Sequence, residues 1–372
     1  MTRSIGVDFG SRFVGVSALL ACLLVSGCER PPIEAVQHGY RGTGMDEMYN
    51  PRTQAAVAAA NALPPDTPPV PAAGPKASMV FKNVQVLGDL SVGEFTRLMV
   101  SMTSWVAPQQ GCAYCHAPGA EMSADALYTK VVARRMLQMT HHINTDWKAH
   151  VSETGVTCYT CHRGQPVPAE VWYTAPPQGH DAGMVGGKAG QNMPAVKVGL
   201  TSLPFDPFTR YLLEPNDVRV VGEHALPVNN DKSIKQAEGT YGLMMHMAQS
   251  LGVNCTYCHN TRSMASWDSS TPQRVTAYYG IRMARDLNSD YLTPLASVFP
   301  AQRLGVEGDA PKLNCATCHR GVFKPLGGAS MLANHPELAR VQAVATSAAG
   351  SAPAPAAVLP TPAVPAAAGS SN

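Results

Sequence analysis

Apolar and polar residues alternate with a helical period in three segments of the chain. In the segment from Ser91 to Val106 the apolar side chains recur three and four residues apart: Val92, Phe95, Leu98, Met99 and Met102. This spacing places them on one face of a helix that packs against a core. The same kind of pattern predicts a second helix from Ser123, as N-cap, to Met139 and a third helix over Gly239 to Leu251.

The flanking and connecting segments have a different composition. Residues 28–78 are expected to be a tether, and its part from 51 to 78 is rich in Ala and Pro, which predicts an extended segment without a core of its own. Residues 341–372 are Ala, Pro and Ser again and are expected to be disordered. Between them lie two predicted halves, residues 79–200 and 201–340, whose similar organisation indicates an internal duplication.

The N-terminus has the composition of an export signal. Basic residues precede an apolar run from Phe13 to Val25, which is followed by two small residues and Cys28. This order is typical of a signal peptide over residues 1–27, and the small pair before Cys resembles a lipoprotein processing site that leaves a lipid on Cys28. The alternative is an uncleaved anchor helix. Both place the rest of the chain in the periplasm, and no later segment is apolar enough to cross a bilayer.

Charge and aromatic content narrow the functional class. The chain has 28 basic and 26 acidic residues and no basic run, so a nucleic-acid partner is not expected. Aromatic residues make up only 6% of the chain. The apolar core therefore has to come from aliphatic residues, from Met, or from a group that is not protein.

Eight of the ten cysteines form four copies of Cys-x-x-Cys-His. The copies are Cys112/Cys115/His116, Cys158/Cys161/His162, Cys255/Cys258/His259 and Cys315/Cys318/His319. In each copy two thiols can form thioethers to the vinyl groups of a haem, and the adjacent His can bind its iron. Zinc sites do not need a His after every second Cys, and redox disulfides rarely occur in four identical copies. The sequence predicts four covalently bound haem c groups.

Four haems change what fold is expected. Because the large apolar rings replace much of the core, long loops and few aromatic residues are tolerable. We expect a mainly α, loop-rich multihaem cytochrome with two pseudo-repeated dihaem halves, little β-sheet, and an apoprotein that does not fold.

The second axial ligand of each iron decides what the haem does. Met raises the reduction potential, a second His tends to lower it, and an open position allows catalysis. Helices before the first three motifs offer Met99, Met136 and Met244. Three neighbouring methionines are alternative ligands: Met102, Met139 and Met245. A Met at helical spacing is also commonly a core residue that binds no metal.

The fourth motif has no comparable methionine before it. Only Met264 and Met283 lie between the third and fourth motifs, and charged residues flank Met283. A His from elsewhere is the alternative, and three lie together before the second motif: His141, His142 and His150. His150 follows Met136 by fourteen residues, which is about 21 Å on one continuous helix, so the two cannot bind one iron. One helix can thus serve two haems.

These residues resemble those of the tetrahaem cytochrome subunit of bacterial photosynthetic reaction centres, over about residues 79 to 335. Beyond the four motifs, the resemblance rests on four phrases in the family order: Phe205-Asp206-Pro207-Phe208-Thr209, Ser250-Leu251-Gly252-Val253-Asn254-Cys255, Ser270-Thr271-Pro272-Gln273-Arg274 and Tyr279-Gly280-Ile281-Arg282-Met283. In that family the first three haems have Met as sixth ligand and the fourth has two His. The resemblance implies Met99, Met136 and Met244 for the first three, and His150 for the fourth.

The resemblance implies an electron relay without chemistry of its own. Electrons from a soluble periplasmic cytochrome c or high-potential iron–sulfur protein pass along the haems to the oxidised bacteriochlorophyll pair of the membrane-embedded reaction centre. In the family the third haem lies nearest the pigment, and Arg274 and Arg282 match positions near it, where a guanidinium raises the haem potential. The implied location is the periplasmic face of the bacterial inner membrane. The rival class is a multihaem reductase, which needs an iron with an open position.

Overall fold

The computed structural model describes residues 34–38, 45–176, 203, 206–221 and 232–340, which form helices and loops with one two-stranded sheet in this part of the chain. Strands β1 (Glu34–His38) and β2 (Met45–Tyr49) pair antiparallel, with Glu34 opposite Tyr49. The predicted mainly α, loop-rich fold with little sheet is confirmed. The predicted signal peptide, Cys28 and the predicted disordered tail lie outside the described residues.

The helices of the described residues are mostly short, and the longer ones precede or follow the cysteine motifs. They are α1 (Pro51–Ala60), α2 (Ala77–Val80), α3 (Val92–Val106), α4 (Tyr128–Asp146), α5 (Lys148–Val151), α6 (Cys158–His162), α7 (Ile234–Leu251), α8 (Pro272–Asp286) and α9 (Cys315–His319). Two π-helical turns cover Thr209–Leu213 and Leu287–Leu292. None of the helices that the structure describes combines the length and the apolar character that crossing a bilayer requires.

Two of the three predicted helices begin where a capping side chain starts them. The predicted helix after Ser91 is confirmed, because the Ser91 hydroxyl accepts from the Glu94 N–H and the Glu94 carboxylate accepts from the Ser91 N–H. The third predicted helix begins at Ile234 rather than at Gly239, since Ser233 and Gln236 form the same kind of capping box. The predicted helix was therefore five residues too short at its N-terminus.

The predicted start of the second helix at Ser123 is wrong, since α4 begins at Tyr128 with no side-chain cap. The carbonyls just before it accept tertiary hydrogen bonds instead of helical ones. The Met122 carbonyl accepts from His116, and the Ser123 carbonyl accepts from Asn83. Ser123 itself donates to a nearby Glu side chain rather than capping the helix. Long-range bonds therefore keep residues 123–127 out of the helix.

The prediction of an extended, coreless tether over residues 51 to 78 is corrected in part. Its first ten residues form α1, which has Asn50 as N-cap and Pro51 at its first position. The following residues are extended but docked, because Arg97 on α3 donates to the carbonyls of Thr67 and Pro68. The segment ends at the fully buried Ala77. Helix propensity of its alanines and these bonds account for the difference.

Two apolar cores hold the described residues together. One contains Trp172, Phe208, Tyr211, Leu212, Leu243 and Leu287, among others. The other contains Leu87, Leu90, Leu98, Trp105, Cys158 and Leu338, among others. Helix α4 contributes to both, through Leu137 and Ile143. The division into halves at residue 200 stays a prediction.

Candidate haem sites

The four cysteine motifs adopt two local conformations that alternate along the chain. The first and third motifs lie on tight 3-10 turns, Gly111–Tyr114 and Cys255–Tyr257. The second and fourth motifs are the five-residue helices α6 and α9. Each of these helices ends at an arginine in the left-handed region, Arg163 with φ 50° and Arg320 with φ 52°. The first motif therefore matches the third, and the second matches the fourth.

Each motif histidine is held by a hydrogen bond from Nδ1 to a backbone carbonyl further along the chain. The distances are 2.9 Å from His116 to Met122, 2.9 Å from His162 to Gln165, 2.9 Å from His259 to Met264 and 3.0 Å from His319 to Val322. Because a carbonyl only accepts, the proton lies on Nδ1 and the neutral ring keeps a free lone pair on Nε2. Metal-binding histidines are commonly oriented by such a bond.

For three of these rings, burial lowers the pKa and so favours the neutral form that a metal requires. It lowers the pKa of His162 and of His259. Burial, together with the neighbouring His150, lowers the pKa of His319 to about 4. Metal binding needs the unprotonated nitrogen, so three of the motif histidines are ready to bind iron at neutral pH.

His150 follows the same pattern although it lies outside the motifs. Its Nδ1 donates to the carbonyl of Thr276 on α8 at 2.9 Å, and burial lowers its pKa. Its ring centroid is 6.1 Å from that of His319, and the ring planes cross at 69°. Two imidazoles that bind one metal through bonds of about 2 Å have centroids roughly 6 Å apart. The spacing of His150 and His319 therefore fits one iron between them.

The other two histidines of this segment face other partners. The two ring nitrogens of His142 lie 2.6 Å from Asp146 and 2.6 Å from Asp286. His141 is buried, and burial lowers its pKa. Of the three candidates that the sequence left open, His150 is the one whose ring lies against His319.

The sequence predicted one helix carrying both Met136 and His150, and this prediction is wrong. Helix α4 ends at Asp146, and Trp147 separates it from the short helix α5 that carries His150. The Trp147 indole N–H donates to the Asp286 carboxylate at 2.7 Å, which anchors the break on α8. This contact between helices could not be read from helical periodicity.

A cavity of about 860 Å³ is lined by all the cysteines and histidines of the first and second motifs. Its volume lies in the range of cofactor sites. Met99 of α3 and Met136 of α4 line it as well. The rivals Met102 and Met139 line the same cavity. Ligation by Met99 and Met136 therefore stays a prediction.

The third motif follows α7, and the two arginines that the resemblance places near it lie against aromatic rings. Met244 on α7 packs against the core that contains Leu243, and its binding to the same haem iron as His259 stays a prediction. The Arg274 guanidinium lies 4.1 Å above the ring of Trp267, and that of Arg282 lies 3.4 Å above the ring of Tyr278. Both arginines thus lie on α8 with their charges held against aromatic faces.

The second and fourth motifs contact each other directly. The sulfur atoms of Cys161 and Cys318 are 2.7 Å apart. Arg163, which ends the second motif, donates to the Cys318 carbonyl at 2.9 Å, and Arg320, which ends the fourth, donates to the Cys161 carbonyl at 3.4 Å. This exchange of equivalent bonds gives the contact a local two-fold arrangement.

Asn61, just after α1, joins the N-terminal segment to this contact through hydrogen bonds. Its side chain donates to the Arg320 carbonyl at 3.1 Å and accepts from the Leu326 N–H at 3.3 Å. The residues on either side of Asn61 accept hydrogen bonds through their carbonyls from Arg163 and Tyr159. The N-terminal segment therefore binds the second and fourth motifs together.

Sequence reasoning missed several residues that shape these sites. The Arg-Gly pair after the His of the second and fourth motifs was a readable signal, because it marks Arg163 and Arg320. Nothing local marks Asn61, Thr276 or Gly280, whose partners are more than 100 residues away in the chain.

None of the eight motif cysteines is joined to another in a disulfide. Burial raises the pKa of Cys158 and of Cys315 to about 12. Within the residues that the structure describes, no three His, Cys, Asp or Glu side chains converge in a way that could hold a metal ion. Each motif instead presents two thiols beside one imidazole with a free Nε2, which fits a covalently attached haem.

The sequence matches one family model over most of its length. Residues 29–339 match the model of the photosynthetic reaction centre cytochrome c subunit. The chain is 56% identical over 333 residues to the photosynthetic reaction center cytochrome c subunit of Rubrivivax gelatinosus, covering 89% of this chain and 90% of that one. It is 50% identical over 336 residues to the subunit of Thermochromatium tepidum, covering 90% and 82%.

One further relative is similar over a shorter part of the chain. Cytochrome c-554 of Chloroflexus aurantiacus is 28% identical over 209 residues, half of each chain. Residues 29–339, which match the family model, include all four motifs and the helices around them. The chain belongs to the family of photosynthetic reaction centre cytochrome c subunits.

Proposed function

We propose that this chain binds four haem c groups and relays electrons one at a time from a soluble periplasmic donor to the oxidised bacteriochlorophyll pair of the reaction centre. As a reaction centre cytochrome c subunit it is an electron carrier with covalently bound haem c rather than an enzyme. Each haem supplies an iron that takes up and releases one electron. The residues of the chain fix its axial ligands, its surroundings and its neighbours.

One observation supports the proposal that each haem iron has two ligands from the protein. Five imidazoles are held by Nδ1 on a backbone carbonyl, and the fifth of them, His150, faces His319 at the spacing of a shared metal. We assign His150 and His319 to the fourth haem. Met99 with His116, Met136 with His162 and Met244 with His259 serve the first three. A ligand on both sides of each iron leaves no position for a substrate, and it limits rearrangement during electron transfer.

Contacts between the motifs support an order of the haems that differs from chain order. The first and second motifs line one cavity, and the second and fourth meet at Cys161 and Cys318. The fourth motif contacts the helix that precedes the third, because the Gly321 N–H donates to the Ser250 carbonyl at the end of α7. We therefore propose the order first, second, fourth, third, with the third nearest the pigment.

Matching hydrogen bonds support the proposed duplication. The Gly164 N–H after the second motif donates to Trp105 at the end of α3, just as the residue after Arg320 donates to the end of α7. The hydroxyls of Thr129 and Thr271 donate to the tyrosine carbonyls of the first and third motifs. Equivalent bonds at equivalent positions are what a repeated dihaem unit predicts.

The proposed partners follow from the same assignment. The reaction-centre membrane subunits bind the chain on the periplasmic side, and a lipid on Cys28 holds it to the membrane. The donor is a soluble cytochrome c or a high-potential iron–sulfur protein.

Two measurements test the proposal. The mature protein, purified from the source membranes, should carry four irons and four haems per chain, and fewer would refute the count. Flash excitation of these membranes should oxidise haem after the pigment, and the signal should vanish when the gene is deleted and return when it is restored. Pigment re-reduction at an unchanged rate in the deletion strain would refute the role.

A further inference from the structure

We infer that Gly280 selects the sixth ligand of the fourth haem, by leaving the space on α8 that the imidazole of His150 occupies. The inference rests on the proposed ligation of the fourth haem by His150 and His319. It goes beyond that assignment because Gly280 binds nothing itself. It is a positioning residue that decides which side chain reaches the iron.

The contact between Gly280 and His150 leaves no room for a side chain. A Cβ atom at position 280 lies 2.6 Å from Cε1 of His150, 2.9 Å from Nδ1 and 3.2 Å from Nε2. All three distances are shorter than ordinary van der Waals contact, so a methyl group there requires the ring to move. The ring cannot move freely, since its Nδ1 is bound to the Thr276 carbonyl one turn earlier on α8. Thr276 and Gly280 together position the imidazole: the first accepts its hydrogen bond, and the second leaves space for its ring.

The position of Gly280 in its helix explains why a histidine is borrowed. Asn144 on α4 exchanges two hydrogen bonds with Val156, two residues before the second motif, and Asn288 exchanges the same two bonds with Leu313, two residues before the fourth motif. Met136, the proposed ligand of the second haem, lies eight residues before Asn144, and Gly280 lies eight residues before Asn288. Both helices follow a motif of the 3-10 type. In the proposed repeat, Gly280 therefore stands where the first half carries a methionine ligand, and His150 from the first half fills the place.

The test uses the complete haem-loaded protein and carbon monoxide as a probe of an open iron position. Three variants are compared with the wild type: Gly280→Ala, His150→Ala and Gly93→Ala. Gly93 is the matched control, because it also lies within a helix and an added Cβ there meets only atoms 3.8 Å or more away. Carbon monoxide bound per chain and the potential of each haem are measured.

The expected result is specific to one haem. Wild type and Gly93→Ala bind no carbon monoxide when reduced, whereas Gly280→Ala and His150→Ala each bind it at one haem of four. If Gly280→Ala binds none and the fourth haem keeps its potential while His150→Ala binds one, the inference about Gly280 is overturned and the proposed function stands. If His150→Ala also behaves as wild type, the proposed ligand set itself is wrong.

A double variant covers the case in which Gly280→Ala fails to load haem. Removing the imidazole removes the collision, so Gly280→Ala combined with His150→Ala should recover four haems per chain. Recovery supports the inference, because it shows that the added methyl acts through His150. Failure of the double variant to load haem, when His150→Ala alone loads normally, overturns it.

Discussion

Replacing Asn61 by Ala should loosen the N-terminal segment from the contact between the second and fourth motifs. Asn61 is the residue through which this segment joins Arg320 and Leu326, at 3.1 and 3.3 Å, while Arg163 lies 3.4 Å from its side-chain oxygen. The substitution removes these hydrogen bonds and leaves the backbone contacts of the neighbouring residues in place. The segment should therefore detach more often without unfolding the motifs.

The size of the effect follows from the number and length of the bonds. A hydrogen bond contributes about 0.5–1.5 kcal/mol net, and two of the three bonds here are long. Their loss should cost about 1–3 kcal/mol, which raises the detached population roughly 5- to 150-fold. Detachment admits water to the second and fourth haem sites, and greater solvent exposure changes a haem potential. We expect both potentials to fall, since water stabilises the oxidised, more positive site.

Amide hydrogen exchange measures the detachment. The Leu326 N–H donates to Asn61, so its protection should drop by that factor, whereas the Gly321 N–H, which donates to Ser250, should be unchanged. The matched control is Asn50→Ala at the other end of α1, which removes the N-cap and costs about 1 kcal/mol of helix stability. Equal loss of Leu326 protection in both variants would show that Asn61 is not the point of attachment.

Three further predictions concern a ligand, a buried charge and pH. Met244→His should lower the potential of the third haem, as a redox titration would show, because a second His replaces Met on the iron. Arg97→Met should destabilise the protein by about 3–5 kcal/mol in denaturant titrations, because it takes the guanidinium, 3.5 Å away, from the buried carboxylate of Glu337 and leaves that carboxylate beside the His335 imidazole at 3.0 Å. The hydrogen bond to Asp286 raises the pKa of His142, and the bonds from His142 and Trp147 lower the pKa of Asp286 although burial opposes this. His142→Gln should therefore destabilise most between about pH 4 and 6.5, with an effect that fades as pH rises through the raised pKa of His142 and as it falls through the lowered pKa of Asp286.

Each of these predictions has its own control. Met245→His should leave the third haem potential unchanged, and an unchanged titration for Met244→His would show that Met244 is not a ligand. Lys148→Met removes an exposed ion pair with Glu153 and should cost at most about 1 kcal/mol, so a similar cost for Arg97→Met would contradict the buried-charge argument. A pH-independent effect of His142→Gln would show that the pair does not titrate on unfolding.

The sequence predicted local elements well where their causes are local. Ser91 and Glu94 cap α3 through neighbours three residues apart, and the apolar period of that helix is visible in the chain. The motifs themselves are local as well, which is why covalent haem attachment followed from cysteine spacing. The resemblance to a family supplied the choice of His150 among three histidines, which spacing alone left open.

The errors arose where long-range contacts override local preference. Ser123 is a good N-cap by type, but its carbonyl is bound by Asn83 and the helix starts later. Residues 51 to 78 read as a coreless tether because their partners, such as Arg97, lie elsewhere in the chain. The hydrogen bond that positions His150 could not be predicted for the same reason, since Thr276 is 126 residues away in the chain.

In the proposed ligand set, α8 couples the second and fourth haem sites, because it contacts both the end of α4 and His150. Asp286 near the end of α8 binds both His142 and Trp147, so it fixes the point where α4 breaks. That break turns His150 toward Thr276, ten residues earlier on the same helix α8. Since α4 also carries Met136, a change that moves the break should displace the proposed ligands of two haems together. A break held at Asp286 and an imidazole held beside Gly280, one turn after Thr276, would therefore let one segment of the proposed first half supply ligands to both halves.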